Sequence, residues 1–285
     1  MKILVTGAQG MMGMGLCPIL CENGHEVVAT DLPELDVQHP DQVRHAIRQA
    51  QPALVIHLAA QTDVDGCENN PDMAFRVNTL GTQHVALACQ QFGCALVYMS
   101  TISVFNGNKE TAYTEFDTPE PRSVYSSSKY QGEVIVQRLV RYSYVVRTGW
   151  MFGGGVHDKK FVARILELAR TRAQLKVVDD KFGSPTYTVD IARGLCRLIE
   201  TNMYGVYHLV NTGEPVSRYS VAQRILEYAG LNTCELLQVS SDEFPLPAPR
   251  PRMEAGRNYQ LELRGWNWMR PWKEALAEYV HILVK

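Results

Sequence analysis

Two groups of residues have the spacing that reduction of a carbonyl group requires. Gly7, Gly10 and Gly13 follow a short apolar run, and Tyr125 precedes Lys129 by four residues. Because four residues make about one helical turn, the phenol and the ammonium are expected on one helix face. A phenol can donate a proton to a carbonyl oxygen, and an ammonium beside it stabilises the phenolate that remains. Together the two groups predict hydride transfer between a nicotinamide and a carbonyl.

The proton donor is expected to be Tyr125. The ordinary pKa of a tyrosine, ~10, is too high for easy proton exchange at neutral pH. We expect Lys129 and a cationic nicotinamide ring to lower the pKa of Tyr125, and a lowering by about three units corresponds to ~4 kcal/mol. Thr101 is expected to hold and polarise the carbonyl oxygen, with Ser100 as the fallback. Asn78 is expected either to support this site or to lie on a helix surface.

The glycine pattern, G-x-x-G-x-x-G, is typical of a loop that binds the pyrophosphate of a dinucleotide at a helix N-terminus. It lies between an apolar strand and a helical pattern, which is the context that this function requires. The residues predicted to bind the cofactor are Gly7, Gln9, Gly10, Met11, Met12, Gly13, Asp31, Leu32, Asp36, Val37, Leu58, Ala59, Ala60, Tyr125 and Lys129.

Asp31 bears on which cofactor is used. It ends the second predicted strand, 18 residues after Gly13. A carboxylate there can accept hydrogen bonds from the adenosine ribose and repels a 2′-phosphate. No lysine or arginine occurs between Lys2 and Arg44. The sequence therefore favours NAD(H) and leaves NADP(H) open, while His57 is expected to be a core histidine rather than a catalyst.

Apolar runs alternate with helical patterns through the first half of the chain. This predicts an α/β fold, a doubly wound parallel sheet of the Rossmann type. Ligands then bind at the carboxyl ends of the strands. We predict an NAD(P)-binding domain over residues 1–150, to which the chain returns around 175–200, and a smaller α/β substrate-binding domain mostly over 151–285. Strands are predicted at 3–5, 26–30, 53–57, 95–99 and 143–147, and helices at 11–21, 41–49, 71–91 and 125–141.

The second half is less regular. Residues 244–252 contain four prolines and are expected to be extended. This stretch is either a linker or a wall of the substrate cleft, and its two arginines favour the wall. Helices are predicted at 158–172, 189–200, 221–230 and 271–283, and strands at 175–178, 206–210 and 236–239.

Composition excludes several classes of partner. The chain has 285 residues, and its net charge of -2 argues against binding nucleic acid or a membrane surface. It enters a predicted strand directly and has no run of eighteen apolar residues, so we expect a cytoplasmic protein. The seven cysteines have no metal-type spacing, so we expect reduced thiols and no metal. The sequence leaves a homodimer open.

The glycine pattern and the set of Thr101, Tyr125 and Lys129 resemble the extended short-chain dehydrogenase/reductase superfamily. Within it, the chain most resembles the dTDP-4-dehydrorhamnose reductase family. The resemblance spans nearly the whole chain and lies in residues 57–65, 77–81, 147–153, 182–192 and 250–252.

This resemblance implies reduction of the 4-keto group of a deoxysugar attached to a nucleoside diphosphate. It implies that NAD(P)H gives the hydride to C4 and that Tyr125 gives the proton. Lys129 would tune Tyr125 and hold the nicotinamide ribose, and Thr101 would orient the carbonyl. The substrate residues that the resemblance implies are Thr62, Val64 and Trp150 near the sugar and Arg250 and Arg252 near the diphosphate, to which guanidinium groups are suited.

The chain departs from the family pattern at three places. The family usually has Ser-Thr-Asp-Tyr-Val-Phe after the fourth strand, whereas Ile102 and Ser103 stand here in place of the acid and the aromatic. We expect this to change the sugar pocket. Lys160 precedes Phe161 where the family commonly has asparagine. Some members bind Mg²⁺ through a glutamate at the position of Gly15, so we expect no such metal.

Other functions stay open. A 4,6-dehydratase needs an acid/base carboxylate pair beside the hydroxyl, and Ile102 and Ser103 cannot supply it. A nucleotide-sugar 4-epimerase could use the same three groups to oxidise and re-reduce one carbon. A non-catalytic NAD(P)-binding regulatory subunit is a further alternative, because the regulatory subunit of methionine adenosyltransferase resembles the same family.

Overall fold

The computed structural model describes residues 1–155, 158, 160–266 and 268–285. Its strands are β1 (Lys2–Thr6), β2 (Glu26–Thr30), β3 (Leu54–His57), β4 (Ala95–Thr101), β5 (Ser143–Thr148), β6 (Met151–Phe152), β7 (Gln174–Val178), β8 (Phe182–Gly183), β9 (Thr186–Tyr187), β10 (Gly205–His208), β11 (Val216–Ser217), β12 (Glu235–Val239) and β13 (Met253–Glu254). Its α-helices are α1 (Met11–Glu22), α2 (Pro40–Ala50), α3 (Val64–Asn69), α4 (Pro71–Phe75), α5 (Thr82–Phe92), α6 (Val124–Leu139), α7 (Phe161–Thr171), α8 (Thr188–Glu200), α9 (Arg218–Ala229), α10 (Tyr259–Glu262) and α11 (Trp272–Val284).

A six-stranded sheet forms the centre of the molecule, in the order β10-β5-β4-β3-β1-β2. Every neighbouring pair in it is parallel. The four inner strands are buried along most of their length because helices cover both faces, and Ile3, Leu4 and Val5 have no exposed surface. The edge strand β2 is more exposed. One core cluster lies on each face, built around Leu16 and Val85 respectively. The predicted α/β fold with a doubly wound parallel sheet is thereby confirmed.

The predicted helix over 71–91 is interrupted in the structure. Helix α4 ends at Phe75, a π-helical stretch spans Arg76–Gly81, and α5 begins at Thr82. The short helix α3 before it was not predicted. A π-helical insertion often marks a functional site, and here it carries the buried Asn78.

The second half contributes both to this sheet and to a separate group of smaller sheets. Helix α8 packs on α1, where a Cβ added at Gly15 would lie 3.3 Å from Oγ1 of Thr188. Strand β10 then extends the central sheet beside β5. In contrast, β7 pairs with β12, and β8 pairs with β11 and β13. Helices α7, α9 and α11 enclose a third apolar cluster around Ile225 and Leu276.

The predicted elements of the second half differ from the structure mainly at their ends. Helix α7 begins at Phe161 rather than at 158, and Lys159 of the predicted range lies outside the described residues. Strand β10 ends two residues before Val210, whose N–H donates to the Asn258 side chain at 3.0 Å. Among the described residues, no helix has the length and apolar character to cross a membrane.

Candidate active site

A cleft of about 1110 Å³ opens at the carboxyl ends of the central strands. Its walls come from the glycine loop after β1, the ends of β4 and β5, helix α6 and the proline-rich segment 244–251. The predicted site residues that line it are Gly7, Gln9, Gly10, Met11, Met12, Asp31, Leu32, Asp36, Val37, Leu58, Ala59, Ala60, Thr62, Val64, Thr101, Tyr125, Lys129, Trp150 and Arg250. The structure thus brings together all of the predicted site residues except Gly13 and Arg252.

The glycine loop has the shape that a dinucleotide requires. Gly7 has a φ of +69°, and a Cβ there would lie 2.6 Å from the backbone nitrogen of Ala59. Gly10 precedes helix α1, and none of the described side chains caps its N-terminus. The backbone N–H groups of the first turn of α1 can therefore donate hydrogen bonds to a pyrophosphate. Gly13 lies behind the loop, where a Cβ would lie 2.4 Å from the carbonyl oxygen of Ala8, so it allows the helix to pack on the strand.

The Asp31 carboxylate lies at the end of β2 beside this loop. It accepts hydrogen bonds from the backbone N–H groups of Gln9 (2.7 Å) and Leu32 (2.8 Å). These hydrogen bonds hold the carboxylate beside the glycine loop, where Asp31 forms part of the cleft wall. The residues present therefore fit the adenosine end of a nicotinamide dinucleotide.

Helix α6 presents Tyr125 and Lys129 to the cleft. Ser123 caps its N-terminus by accepting the N–H of Ser126, and the Glu68 carboxylate accepts the N–H of Val124 at 2.9 Å. Two parts of the chain therefore fix the first turn, from which the phenol projects.

Burial of the phenol opposes the predicted lowering of the Tyr125 pKa. Burial raises the pKa of Tyr125 to about 12, with a smaller contribution from Cys67. A hydrogen bond between the hydroxyl groups of Thr101 and Tyr125 acts in the opposite direction. The sequence shows the spacing between Tyr125 and Lys129 but not the burial of the phenol. Burial removes the phenol from solvent, and this desolvation disfavours the charged phenolate.

Lys129 is also buried, which lowers its pKa to about 7. Its ammonium lies 4.3 Å from the centre of the Tyr98 ring. The Glu133 carboxylate, one turn further along α6, raises the Lys129 pKa. That carboxylate is bound elsewhere, since Arg147 donates to it at 2.6 Å and the Ser100 hydroxyl at 2.5 Å. Ser100 lines the cleft, but its hydroxyl is engaged by Glu133, whereas Thr101 is the hydroxyl that bonds to Tyr125.

Asn78 is fully buried rather than on the helix surface. Its amide accepts the N–H of Gln61 at 2.8 Å and donates to the Gln61 carbonyl at 3.1 Å. It also donates to the Ser128 hydroxyl at 3.0 Å. Asn78 therefore ties the loop after β3 to the turn of α6 that carries Lys129. His57 is buried in the core as predicted, and this burial lowers its pKa to about 3.

Arg250 and Arg252 lie on different sides of the proline-rich segment. Arg250 lines the cleft and donates to the Asp65 carboxylate at 2.9 Å. Arg252 is exposed outside the cleft, with its guanidinium 5.8 Å from the centre of the Phe182 ring. The Phe182 N–H donates to the Arg252 carbonyl as the chain enters β13. The structure therefore does not place Arg252 at the substrate cleft.

The departures after Thr101 have unequal consequences. Ile102 is fully buried in a core cluster and does not line the cleft. Ser103 does line it, and its hydroxyl donates to the Glu254 carboxylate at 2.5 Å. The altered wall is thus confined to Ser103 and the carboxylate that it meets.

Several cleft residues were not predicted. Among them are the charged residues Glu254, Arg218 and Lys181. Each of these three comes from a distant part of the chain, and no local motif marks it. Ser103 and Lys160 also line the cleft, and the sequence marks them only as departures from the family pattern. The Arg218 guanidinium stacks 3.6 Å from the centre of the Trp150 ring.

The arrangement can perform acid-assisted reduction. Two hydroxyl groups, from Thr101 and Tyr125, meet in the cleft that the glycine loop enters. A carbonyl oxygen between them would receive hydrogen bonds and then a proton. The described residues contain no cluster of three or more metal-ligating side chains.

Comparison with known proteins identifies close relatives. The family model described as the RmlD substrate-binding domain matches residues 1–284. A dTDP-4-dehydrorhamnose reductase from Mycobacterium tuberculosis is 37% identical over 281 residues, covering 97% of this chain and 91% of the relative. The crystal structure of such a reductase from Clostridium acetobutylicum superposes with a TM-score of 0.96 at 38% identity, covering 100% of both chains. The Bacillus anthracis reductase, solved in complex with NADP, gives a TM-score of 0.93 at 36% identity and 98% coverage of both.

Proposed function

The chain belongs to the RmlD substrate-binding domain family, and from this we infer that it is an NAD(P)H-dependent reductase of the 4-keto group of a nucleotide-linked deoxysugar. The observation that carries the proposal is the meeting of Thr101, Tyr125 and Lys129 in one cleft with the glycine loop. The first substrate to test is dTDP-4-dehydrorhamnose, because the relatives are named as reductases of this compound.

In the proposed reaction the sugar C4 carbonyl lies against Thr101 and Tyr125. Thr101 holds the carbonyl oxygen and polarises it. The reduced nicotinamide, when bound, supplies the hydride that C4 accepts. Tyr125 gives its proton to the oxygen, so the ketone becomes an alcohol. A pKa of about 12 favours this direction, because the phenol is fully protonated at neutral pH.

Lys129 stabilises the phenolate that Tyr125 becomes. Its ammonium also donates hydrogen bonds to the nicotinamide ribose in this proposal. A pKa of about 7 leaves the group half charged at neutral pH before ligands bind. Any acceptor that reaches the ammonium would raise that pKa.

The nucleotide-sugar diphosphate is proposed to lie near Arg250 and Arg218, the arginines that line the cleft. Asp65 holds Arg250 and also accepts the N–H of Ala248 at 3.1 Å. The proline-rich segment is thereby held to the N-terminal turn of α3. This supports a wall of the substrate cleft rather than a linker.

We propose NADH as the preferred cofactor because the Asp31 carboxylate lies in the adenosine end of the cleft. The Bacillus anthracis relative was solved in complex with NADP, so NADPH is the alternative cofactor. The domain division at residue 150, the absence of a metal and a homodimer remain proposals. So does a cytoplasmic location, with which seven free thiols agree.

The test is oxidation of NADH and NADPH by the purified protein with a panel of dTDP- and GDP-linked 4-keto-6-deoxysugars. The proposal expects one NAD(P)H consumed for each sugar reduced. Sugar conversion without net consumption would instead identify an epimerase. If no sugar is converted while cofactor binds tightly, the chain is a non-catalytic binding subunit.

A further inference from the structure

Trp150 has an unusual backbone conformation at the edge of the cleft. Its φ is +37°, which a bulky side chain rarely adopts. Such strain persists only where the surroundings fix the residue, and it concentrates at functional sites. The loop that contains Trp150 follows β5, directly across from Thr101 at the end of β4.

Three contacts hold the Trp150 indole. One face lies on the backbone of Gly183, where a Cβ would come within 2.3 Å of the ring. The Arg218 guanidinium lies 3.6 Å from the ring centre. The indole N–H donates to the Glu254 carboxylate at 3.1 Å. Of these contacts, the bond to Glu254 is the directional one, and it sets the rotation of the ring.

The second oxygen of Glu254 reaches the other side of the cleft. It accepts the Ser103 hydroxyl at 2.5 Å. The Ser103 N–H in turn donates to Oγ1 of Thr101 at 3.1 Å. One carboxylate therefore connects the loop after β5 with the loop after β4, although 151 residues separate it from Ser103.

The charge of Glu254 acts within the same cleft. Glu254 is half-buried, and its charge adds to the raised pKa of Tyr125. The same charge opposes the lowering of the Arg218 pKa that burial causes. None of the described lysines and arginines forms an ion pair with it within 4.0 Å. An ionised carboxylate only accepts hydrogen bonds, and both of its partners here are donors.

We propose that Glu254 is a positioning residue that holds Trp150 and Ser103 as two walls of the sugar subsite, and that it thereby sets the affinity for the nucleotide sugar. The proposal rests on the proposed reductase function. Ile102, at the position where the family has an acid, is buried in the core. The carboxylate from β13 instead enters the cleft and contacts Ser103, two residues after Thr101.

The experiment compares the wild type with Glu254→Gln. The two donors bind different oxygens of Glu254. An amide has only one oxygen and presents an NH₂ group to the other donor, so Glu254→Gln cannot satisfy both in this geometry. The KM for the nucleotide sugar should rise at least about tenfold in Glu254→Gln, since bonds to charged groups are among the strong ones. The KM for NAD(P)H should stay within about twofold. Glu243→Gln, which alters an exposed ion pair with Lys176, is the matched control.

A second readout needs no turnover. The fluorescence of Trp150 is obtained by subtracting the emission of Trp150→Phe from that of the parent protein. Glu254→Gln should increase acrylamide quenching of Trp150 and lower its anisotropy in the ligand-free protein, whereas Glu243→Gln should change neither.

The outcomes separate the two proposals. If none of the sugars in the panel makes the wild type oxidise NAD(P)H, the proposed function fails. The fluorescence measurement then still decides whether Glu254 holds Trp150. If the wild type is active and Glu254→Gln keeps a wild-type KM for the sugar, the inference is overturned, whatever the fluorescence shows. A selective rise in that KM together with a freer Trp150 supports it.

Discussion

Replacing Glu133 by glutamine tests how the protein controls the charge of Lys129. Glu133 is fully buried and accepts hydrogen bonds from Arg147 and Ser100. Its charge raises the pKa of Lys129, which burial has lowered to about 7. Glu133→Gln keeps the shape of the side chain but removes this charge and leaves that of Arg147, so the Lys129 pKa should fall.

The size of the fall follows from the helix geometry. Residues four apart on a helix have Cβ atoms about 5–6 Å apart. Unit charges about 6 Å apart interact by ~1.4–2.8 kcal/mol at effective dielectric constants of about 40 to 20, which is about one to two pKa units. At pH 7 the charged fraction of Lys129 should then drop from about a half to between about a tenth and a hundredth.

The assay is the pH dependence of kcat/KM between about pH 5 and 9. If the Lys129 ammonium is needed, the kcat/KM of Glu133→Gln should be about 5- to 50-fold lower than that of the wild type at pH 7. The difference should shrink toward acid pH, where Lys129 becomes charged again. Stability should also fall by about 3–5 kcal/mol, because Arg147 stays buried without its partner. Glu133→Gln with Arg147→Met removes both charges and should restore most of the stability. The pH profile should stay displaced in this double variant, because Lys129 still lacks the Glu133 carboxylate that raises its pKa. A folded Glu133→Gln whose profile superimposes on that of the wild type would refute this reasoning.

Three further predictions concern Lys129 and Asp31 in the cleft and Gly13 behind the glycine loop. The Lys129 pKa is lowered from 10.5 to about 7, so the unfolded chain binds more protons above pH 7. The wild-type free energy of unfolding should therefore rise by about 2 kcal/mol between pH 7 and 9 because of this group. Urea unfolding at both pH values measures the rise, which should be missing in Lys129→Met. Asp31→Asn removes a like charge about 5 Å from a 2′-phosphate, worth ~1–3 kcal/mol, and should raise kcat/KM for NADPH relative to NADH by about 5- to 100-fold; an unchanged ratio would exclude a role for Asp31 in cofactor choice. In Gly13→Ala the new methyl would lie 2.4 Å from the Ala8 carbonyl oxygen. This variant should lose about 1–3 kcal/mol of stability and bind the cofactor more weakly, as thermal unfolding and titration with NAD(P)H would show.

The parts of the site that sequence reasoning found are those with local signals. The glycine loop and the Tyr125–Lys129 pair depend on spacing within one loop or one helix turn, so short segments suffice to predict them. The strands of the central sheet are similarly local, since each is a short apolar run between helices. These features confirm the fold class and bring the predicted residues to one cleft.

The parts that sequence reasoning missed depend on long-range packing. Glu254 meets Ser103 and Trp150 only because β13 joins β8 beside the cleft. The direction of the Tyr125 pKa depends on how deeply the phenol is buried, which its spacing from Lys129 does not reveal. Arg252 was assigned to the diphosphate together with Arg250, but a two-residue separation in an irregular segment does not fix a common face.

The most direct measurement of the central claim follows the hydride. The protein is incubated with a 4-keto-6-deoxysugar nucleotide and NAD(P)H that carries deuterium at the transferred position, and the sugar product is analysed by mass and NMR spectroscopy. The wild type should place one deuterium at C4 of the sugar, and Tyr125→Phe should do so about 10²–10⁴-fold more slowly while retaining cofactor binding. A product without deuterium, or an equal rate in Tyr125→Phe, would contradict the account.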